Sequence, residues 1–167
     1  SRGLGDVYKR QKKSRLVGNL YAELHLFDGF MFKTSFGADY NNLYRRSFSP
    51  KYDEINASEK LSGLSNRNAW NFNWVFTNTL NYTKTFGDHT INALLGLESL
   101  RNRYEYFTAS RDGFPSDDPN FHFLDAGDVG TQKNSGSATE YSMVSYFGKI
   151  DYNYHDRYLV CLLYTSD

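Results

Sequence analysis

The feature that most constrains this chain is an alternation of apolar and polar side chains that persists over long stretches. In residues 20–26 every even position is apolar, and in residues 30–40 the even positions are again mostly aromatic or apolar. Successive side chains of a β-strand point to opposite faces, so this period predicts strands with one apolar face. Asp28 and Gly29 lie between the two stretches and predict a hairpin turn.

The residue numbers also predict how the strands of each hairpin pair. Both apolar sets of the first hairpin are even-numbered, and antiparallel partners share a face, so even positions must pair with even positions. A three-residue loop, 28–30, satisfies this and pairs Leu26 with Phe32. We therefore expect a bulge here and a positive φ at Gly29 or its neighbour.

A second hairpin is predicted around Gly87 and Asp88. Its first strand is apolar at even positions in residues 70–82, and its second is apolar at odd positions in residues 91–97. A two-residue turn matches these opposite parities without a bulge and pairs Tyr82 with Ala93. The alternation drifts after this second strand, which predicts a twist or bulge near Ser99.

Long polar stretches separate these hairpins from each other and from a further pair of strands. They cover residues 42–68 and 108–141, whereas a short turn at 155–157 joins a fifth strand to a sixth that begins at Tyr158. The predicted strands have roughly 12–18 residues, against a mean of about 5–6 in soluble proteins. Long strands with alternately short and long connections are typical of outer-membrane barrels. The predicted fold class is all-β, with about six long antiparallel up-and-down strands.

Composition excludes several other classes of protein. Aromatic residues make up 17% of the chain although its mean hydropathy is −0.65, and no apolar run of about 20 residues predicts a membrane helix. The net charge is zero, so no overall field attracts nucleic acid, and no nucleic-acid partner is expected. The four histidines are dispersed and no nucleophile elbow or phosphate loop is present, so we expect no enzyme, metal or cofactor.

Four segments in a fixed order resemble one family. They are residues 21–40, residues 76–98 with a TFG turn and a GLE strand, FPSDD at 114–118, and SYFGKIDYNYHDRYL at 145–159. In combination they resemble the SusC/RagA group of TonB-linked outer-membrane proteins.

This resemblance implies a partial segment of a large transmembrane β-barrel, one of about 22 strands closed around a plug. Such proteins lie in the bacterial outer membrane and import large nutrients, glycans or peptides. The expected partners are a SusD-like surface lipoprotein, outer-membrane lipid, and TonB–ExbB–ExbD acting through an N-terminal part outside this chain. The short turns would face the periplasm, with Tyr82, Phe86, Tyr154 and Tyr158 near that interface.

Both ends of the chain differ from its middle. Residues 1–15 carry six basic residues and one acid, and the first eleven residues and the tail CLLYTSD resemble translated adapter sequence. We therefore expect residues 1–11 to be a non-native leader, 12–160 a partial barrel of a TonB-dependent receptor, and 161–167 a non-native tail.

Two sets of residues are candidates for contacts. The acidic stretch 108–141 and its flank supply aromatic and acidic side chains for a ligand or partner, with a solvated acidic loop and an internal loop core as alternatives: Phe107, Phe114, Asp117, Asp118, Phe121 and Phe123. A second set lies on the polar faces and is expected to line the lumen or meet the plug: Glu23, Lys33, Asp39, Asn71, Asn73, Glu98, Lys149 and Asp151.

Two other functions fit the pattern. One is a soluble or surface carbohydrate-binding β-sandwich, which would not expose rows such as Phe30, Phe32 and Phe36 to water. The other is a non-transport barrel, such as an adhesin or structural porin, which differs from a transporter in having no plug. Nothing in the sequence identifies the substrate.

Overall fold

The computed structural model describes residues 8–51, 61–155 and 158–166. The described residues form one six-stranded sheet in which strand order follows chain order. The last two strands are antiparallel, with Tyr154 opposite Tyr158. The all-β fold of long up-and-down strands is therefore confirmed. The strands are β1 (Tyr8–Phe27), β2 (Phe30–Ser49), β3 (Gly63–Phe86), β4 (His89–Asp112), β5 (Lys133–Tyr154) and β6 (Tyr158–Ser166).

The strands are longer than the sequence predicts. The first five have 20 to 24 residues each, so the long connections shrink to residues 50–62 and 113–132. Strand ends that are polar on both faces still pair through backbone hydrogen bonds, but their side chains do not alternate between apolar and polar. The sequence pattern therefore does not predict them. β1 and β6 also extend into the two segments expected to be non-native.

The predicted register of the β3–β4 hairpin is confirmed by its side-chain contacts. Three side-chain hydrogen bonds follow it. The hydroxyls of Thr85 and Thr90 lie 3.2 Å apart, the Thr83 hydroxyl donates to Asn92 (3.2 Å), and the Thr77 hydroxyl donates to Glu98 (3.1 Å). Asn102 donates to Asn73 in the same register. Since the register is unchanged on either side of Ser99, the bulge expected there is wrong.

The first hairpin confirms the predicted matching of faces but not the loop length. Gly29 has a φ of +82°, as predicted, yet the strands end at Phe27 and resume at Phe30, so the loop has two residues instead of three. Odd-numbered side chains of the two strands meet, since the Lys33 Nζ lies 2.9 Å from the Glu23 Oε1.

One face of the sheet is apolar and the other polar. The apolar face comprises even positions of β1, β2, β3 and β5 and odd positions of β4; the polar face comprises the remaining positions of these five strands. On the apolar face Phe30 packs on Tyr82 with ring centroids 4.3 Å apart, and Phe36 stacks on Trp74 at 6.2 Å. A Cβ added to Gly148 would lie 3.5 Å from the Leu95 side chain.

The chain divides into two compact units. The loop-end unit comprises residues 1–15, 41–71 and 104–139, and the turn-end unit comprises residues 16–40, 72–103 and 140–167. Every fully buried residue that the structure describes lies in the loop-end unit. The described helices are three turns of three residues each within 113–132. None of them is long or apolar enough to cross a membrane.

Candidate functional site

The connection 113–132 is an ordered loop built from three short 3-10 turns, Pro119–Phe121, Leu124–Ala126 and Val129–Thr131. Side-chain oxygens begin two of them. Asp118 accepts a hydrogen bond from the Asn120 N–H at 2.9 Å, and Asp128 accepts one from the Gly130 N–H at 2.9 Å. Short polar side chains satisfy the free N–H groups at such starts, so these two aspartates hold the loop's shape.

An apolar core lies under this loop. Phe48 of β2, Leu64 of β3 and Phe114 are buried together, and Leu124 and Ala126 pack against them. The rings of Phe48 and Phe114 meet edge to face with centroids 5.7 Å apart, a favourable geometry for aromatic pairs. The loop-end unit therefore has a core of its own.

Ser62 and His122 are the buried polar side chains of this core. The Ser62 Oγ accepts from the Phe114 N–H at 3.0 Å and donates to the Phe114 carbonyl at 3.2 Å. His122 is 2% exposed and stacks on Phe48 at 3.7 Å, with its Nε2 3.2 Å from the Asp117 carbonyl oxygen. No local sequence pattern marks either residue as buried.

The structure separates the predicted loop contacts into two groups. Phe114 is a core residue, so its ring supports the loop and presents little surface to a partner. Phe107 belongs to β4, and it is exposed, as are Phe121 and Phe123. The Arg46 guanidinium lies 5.1 Å from the Phe123 ring centre. The two remaining residues of the set, Asp117 and Asp118, are also exposed.

The loop lies against one side of the strands. Phe48 and Leu64 are even-numbered residues of β2 and β3, and Tyr8, another even position, approaches His122 with ring centroids 6.0 Å apart. Arg46, which meets Phe123, is even-numbered too. The loop therefore packs on the apolar-face side and leaves the polar face of these strands uncovered by it.

In the turn-end unit the side chains of the polar face form ion pairs and hydrogen bonds with one another. Glu23 meets Lys33, the Thr77 hydroxyl donates to Glu98 at 3.1 Å, and the Lys149 Nζ lies 2.9 Å from the Asp151 Oδ2. Apart from Thr77, these are residues predicted to line a lumen, as is Asn73, which accepts from Asn102. Asp39 and Asn71 lie at odd positions of β2 and β3, on the same face.

In the loop-end unit the polar face is basic. The Arg67 guanidinium donates to the Tyr104 hydroxyl at 3.1 Å and lies 4.2 Å from the centre of the Tyr106 ring. Arg45 donates to Gln11 at 3.5 Å. A cleft of about 330 Å³ on this face is lined by Lys13 and Tyr104, among others. These residues were not among the predicted contacts, although the basic residues at odd positions of β1, β2 and β3 were a usable signal.

No group of three or more histidine, cysteine, aspartate or glutamate side chains converges within the described residues. The acidic loop residues have other contacts. Asp118 and Asp128 cap turns, and the Asp125 Oδ1 lies 3.7 Å from the Arg111 Nη1. These acidic side chains therefore hold the shape of the loop and pair with Arg111.

No protein-family model matches the chain. Two proteins of Formosa agariphila are similar in sequence: TonB-dependent receptor P3, 30% identical over 150 residues, and TonB-dependent receptor P39, 28% identical over 141 residues. The alignments cover 89% and 84% of this chain but 15% and 13% of the two relatives. The chain thus spans about a seventh of their length.

Solved structures share the fold. One described as the RagAB peptide transporter superposes with a TM-score of 0.85 at 22% identity, over 94% of this chain and 17% of that chain. Another, of the RagAB peptide importer in a closed state, gives a TM-score of 0.81 over 96% of this chain and 18% of that chain. The arrangement of long strands and their connections is therefore that of a segment within a much longer chain.

Proposed function

Because this chain is a relative of TonB-dependent receptors, as its sequence resemblance predicted, we propose that it forms part of the wall of an outer-membrane transporter. The transporter imports large nutrients, glycans or peptides, and the segment supplies about six strands of its barrel. The apolar face meets lipid, and the polar face meets the lumen and the plug. This arrangement is what a membrane barrel requires, since its outside must match hydrocarbon and its inside water.

The observation that carries this proposal is the apolar face of the turn-end unit. Leu20 is 77% exposed, Leu95 64% and Ile150 50%, and all three lie on that face. A soluble β-sandwich would bury such rows against a second sheet or leave a large apolar patch in water. Lipid is the partner that matches a continuous apolar surface of this kind.

Aromatic side chains at the turn end support the orientation. Phe86 stacks on His89 at 5.3 Å, and the His89 ring centroid lies 4.9 Å from that of Tyr154. Tyr82 packs on Phe30. Amphipathic rings are enriched at membrane–water interfaces, so we assign this cluster to the periplasmic interface. Tyr158, predicted there too, has its side chain outside the described residues.

We assign the exposed loop residues to a partner. Phe121 and Phe123 are exposed on a loop that packs on the apolar-face side, away from the lumen. A SusD-like lipoprotein at the cell surface is the partner that the resemblance implies, whereas TonB–ExbB–ExbD would act through the plug region. Substrate contacts then belong to the polar face.

The decisive experiment begins with the parent DNA, read across both ends of this reading frame. We expect the frame to continue upstream into a plug and signal peptide, and residues 1–11 and 161–167 to be replaced by native sequence. The complete protein, expressed in outer membranes, should then support uptake of oligosaccharides or peptides only when TonB is present. Uptake that ignores TonB, or a frame without a plug, would favour a non-transport barrel.

The isolated segment offers a second test. Six strands leave two open sheet edges, and unpaired backbone groups are costly in lipid. We expect the chain refolded alone in detergent to aggregate. A monodisperse, heat-resistant monomer would contradict the assignment to a larger barrel.

A further inference from the structure

We propose that the polar face of the loop-end unit binds oligomeric substrates that carry carboxylate groups, through Lys13, Arg45 and Arg67. This inference rests on the proposed transport function and adds a substrate class to it. The site lies on the face left uncovered by the loop 113–132.

The three residues share one face of neighbouring strands. Lys13, Arg45 and Arg67 occupy odd positions of β1, β2 and β3. Arg45 reaches Gln11 of β1 on that face, and Arg67 reaches Tyr104 of β4. Lys13 and Tyr104 line the same cleft, so the register and the contacts both bring the basic groups to one surface.

The charge on this face is one-sided. Among the described residues of the loop-end unit from position 12 onward, one acidic side chain, Asp112, shares it with five basic ones: Lys13, Arg15, Arg45, Arg67 and Lys133. Arg45 and Arg67 contact neutral groups: an amide, a phenol hydroxyl and an aromatic ring. Such a surface attracts anions and is weakened by salt.

The geometry of Arg67 favours a carboxylate. A guanidinium is planar and can donate two parallel hydrogen bonds to one carboxylate. The Tyr104 hydroxyl and the Tyr106 ring hold the Arg67 group in place, which lowers the entropy lost when a ligand binds. Asn41 lines the same cleft and supplies an amide suited to hydroxyl or peptide groups.

The test uses the complete transporter that contains this segment, purified in detergent, with four probes in matched pairs. Trigalacturonate is compared with its methyl ester, and triglutamate with triglutamine, by isothermal titration calorimetry. We expect the carboxylate form of one pair to bind at least about tenfold more tightly than its neutral counterpart. This is the change in affinity that one charge-assisted hydrogen bond provides. Which pair responds identifies the ligand as a glycan or a peptide.

Variants locate the site. The double variant Lys13→Gln/Arg67→Gln should lose most of the preference for the carboxylate form and leave binding of the neutral form unchanged. Lys12→Gln is the matched control, because Lys12 neighbours Lys13 in β1 but lies on the opposite face. It should bind both forms as the unaltered protein does.

Failure of this inference differs from failure of the transport function. Equal binding of charged and neutral probes, with TonB-dependent uptake intact, would overturn the inference alone. A preference that survives in the double variant would also overturn it. Absence of TonB-dependent uptake for all four probes and for the cell's own oligosaccharides would overturn both. The comparison of charged and neutral probes uses the unaltered protein, so it tests the inference even if a variant fails to fold.

Discussion

The loop-end and turn-end units share the same strands but differ in how they are stabilised. The loop-end unit buries Phe48, Leu64, Phe114 and the His122 ring against one another. None of the described residues of the turn-end unit is fully buried. The sheet alone therefore supplies a backbone ladder, and a core arises only where the loop 113–132 folds back on the strands.

This difference indicates which contacts stabilise the folded state of each unit. Burial of apolar surface within the chain stabilises the loop-end unit at about 25 cal/mol for each Å² removed from water. The turn-end unit has the same kind of side chains but presents them outward, so its stabilisation depends on what covers that face, which the proposed function assigns to lipid.

The largest contrast should come from deleting one ring in each unit. Phe114→Ala removes a buried core ring and should cost about 3–5 kcal/mol, seen as lost hydrogen-exchange protection across residues 113–132 of the complete protein. Phe76→Ala removes a half-exposed ring of the apolar face and should leave protection of its strand nearly unchanged in detergent. Equal losses in both variants would mean that the two units are stabilised alike.

The turns of the turn-end unit should be its most sensitive points. Gly29 and Gly87 both have positive φ, +82° and +58°, which an alanine tolerates poorly. A Cβ at Gly29 would also lie 2.3 Å from the Thr83 carbonyl oxygen, whereas one at Gly87 meets nothing within 4 Å. We expect Gly29→Ala to cost about 3 kcal/mol and Gly87→Ala about 1 kcal/mol, measured by thermal unfolding of the complete protein. The reverse order would contradict the close approach of Gly29 to β3.

A smaller effect is expected for the hydroxyl that ties the loop to its core. Ser62→Ala leaves the buried N–H and carbonyl of Phe114 without this partner and should cost about 1–2 kcal/mol. The readout is local hydrogen exchange at the loop. Ser65→Ala, three residues further along in β3 and less buried, is the control and should stay within about 0.5 kcal/mol. Indistinguishable variants would show that Ser62 contributes only packing.

The smallest effect should come from the exposed ion pair of Glu23 and Lys33. Their side chains are 41% and 43% exposed, so a double-mutant cycle should give a coupling of about 0.5 kcal/mol or less, falling with added salt. A clearly larger, salt-insensitive coupling would mean that the polar face is dry in the complete protein. The plug would then cover it closely.

Most of the correct predictions came from whether the apolar residues of a strand have odd or even numbers. The positions of the hairpins, the matched faces and the β3–β4 register all follow from which residue numbers are apolar, because side-chain direction in a strand has a period of two. The same reasoning places Glu23, Lys33 and Glu98 on one face. It failed at the strand ends, where both faces are polar and the period disappears.

The loop core could not be predicted in the same way. Phe114 was a candidate for contact with a ligand or partner, with an internal loop core as the alternative, and it is buried against residues 48 and 64. Nothing local distinguishes it from Phe121, which is exposed. The distinction depends on how a loop folds over strands distant in sequence, and alternation carries no information on that.

The uninterrupted β3–β4 register has a consequence for how such genes can vary. The same pairing that joins Thr85 to Thr90 also brings the Gly113 N–H to the Ser62 carbonyl, at 2.8 Å. Inserting or deleting a single codon inside either strand would exchange the two faces from that point on, turning Asn73 onto the apolar face or Trp74 onto the polar face. Insertions or deletions in this hairpin should therefore be tolerated when they comprise two residues or lie at the ends of the strands. Length changes of other sizes should be tolerated in the loop 113–132.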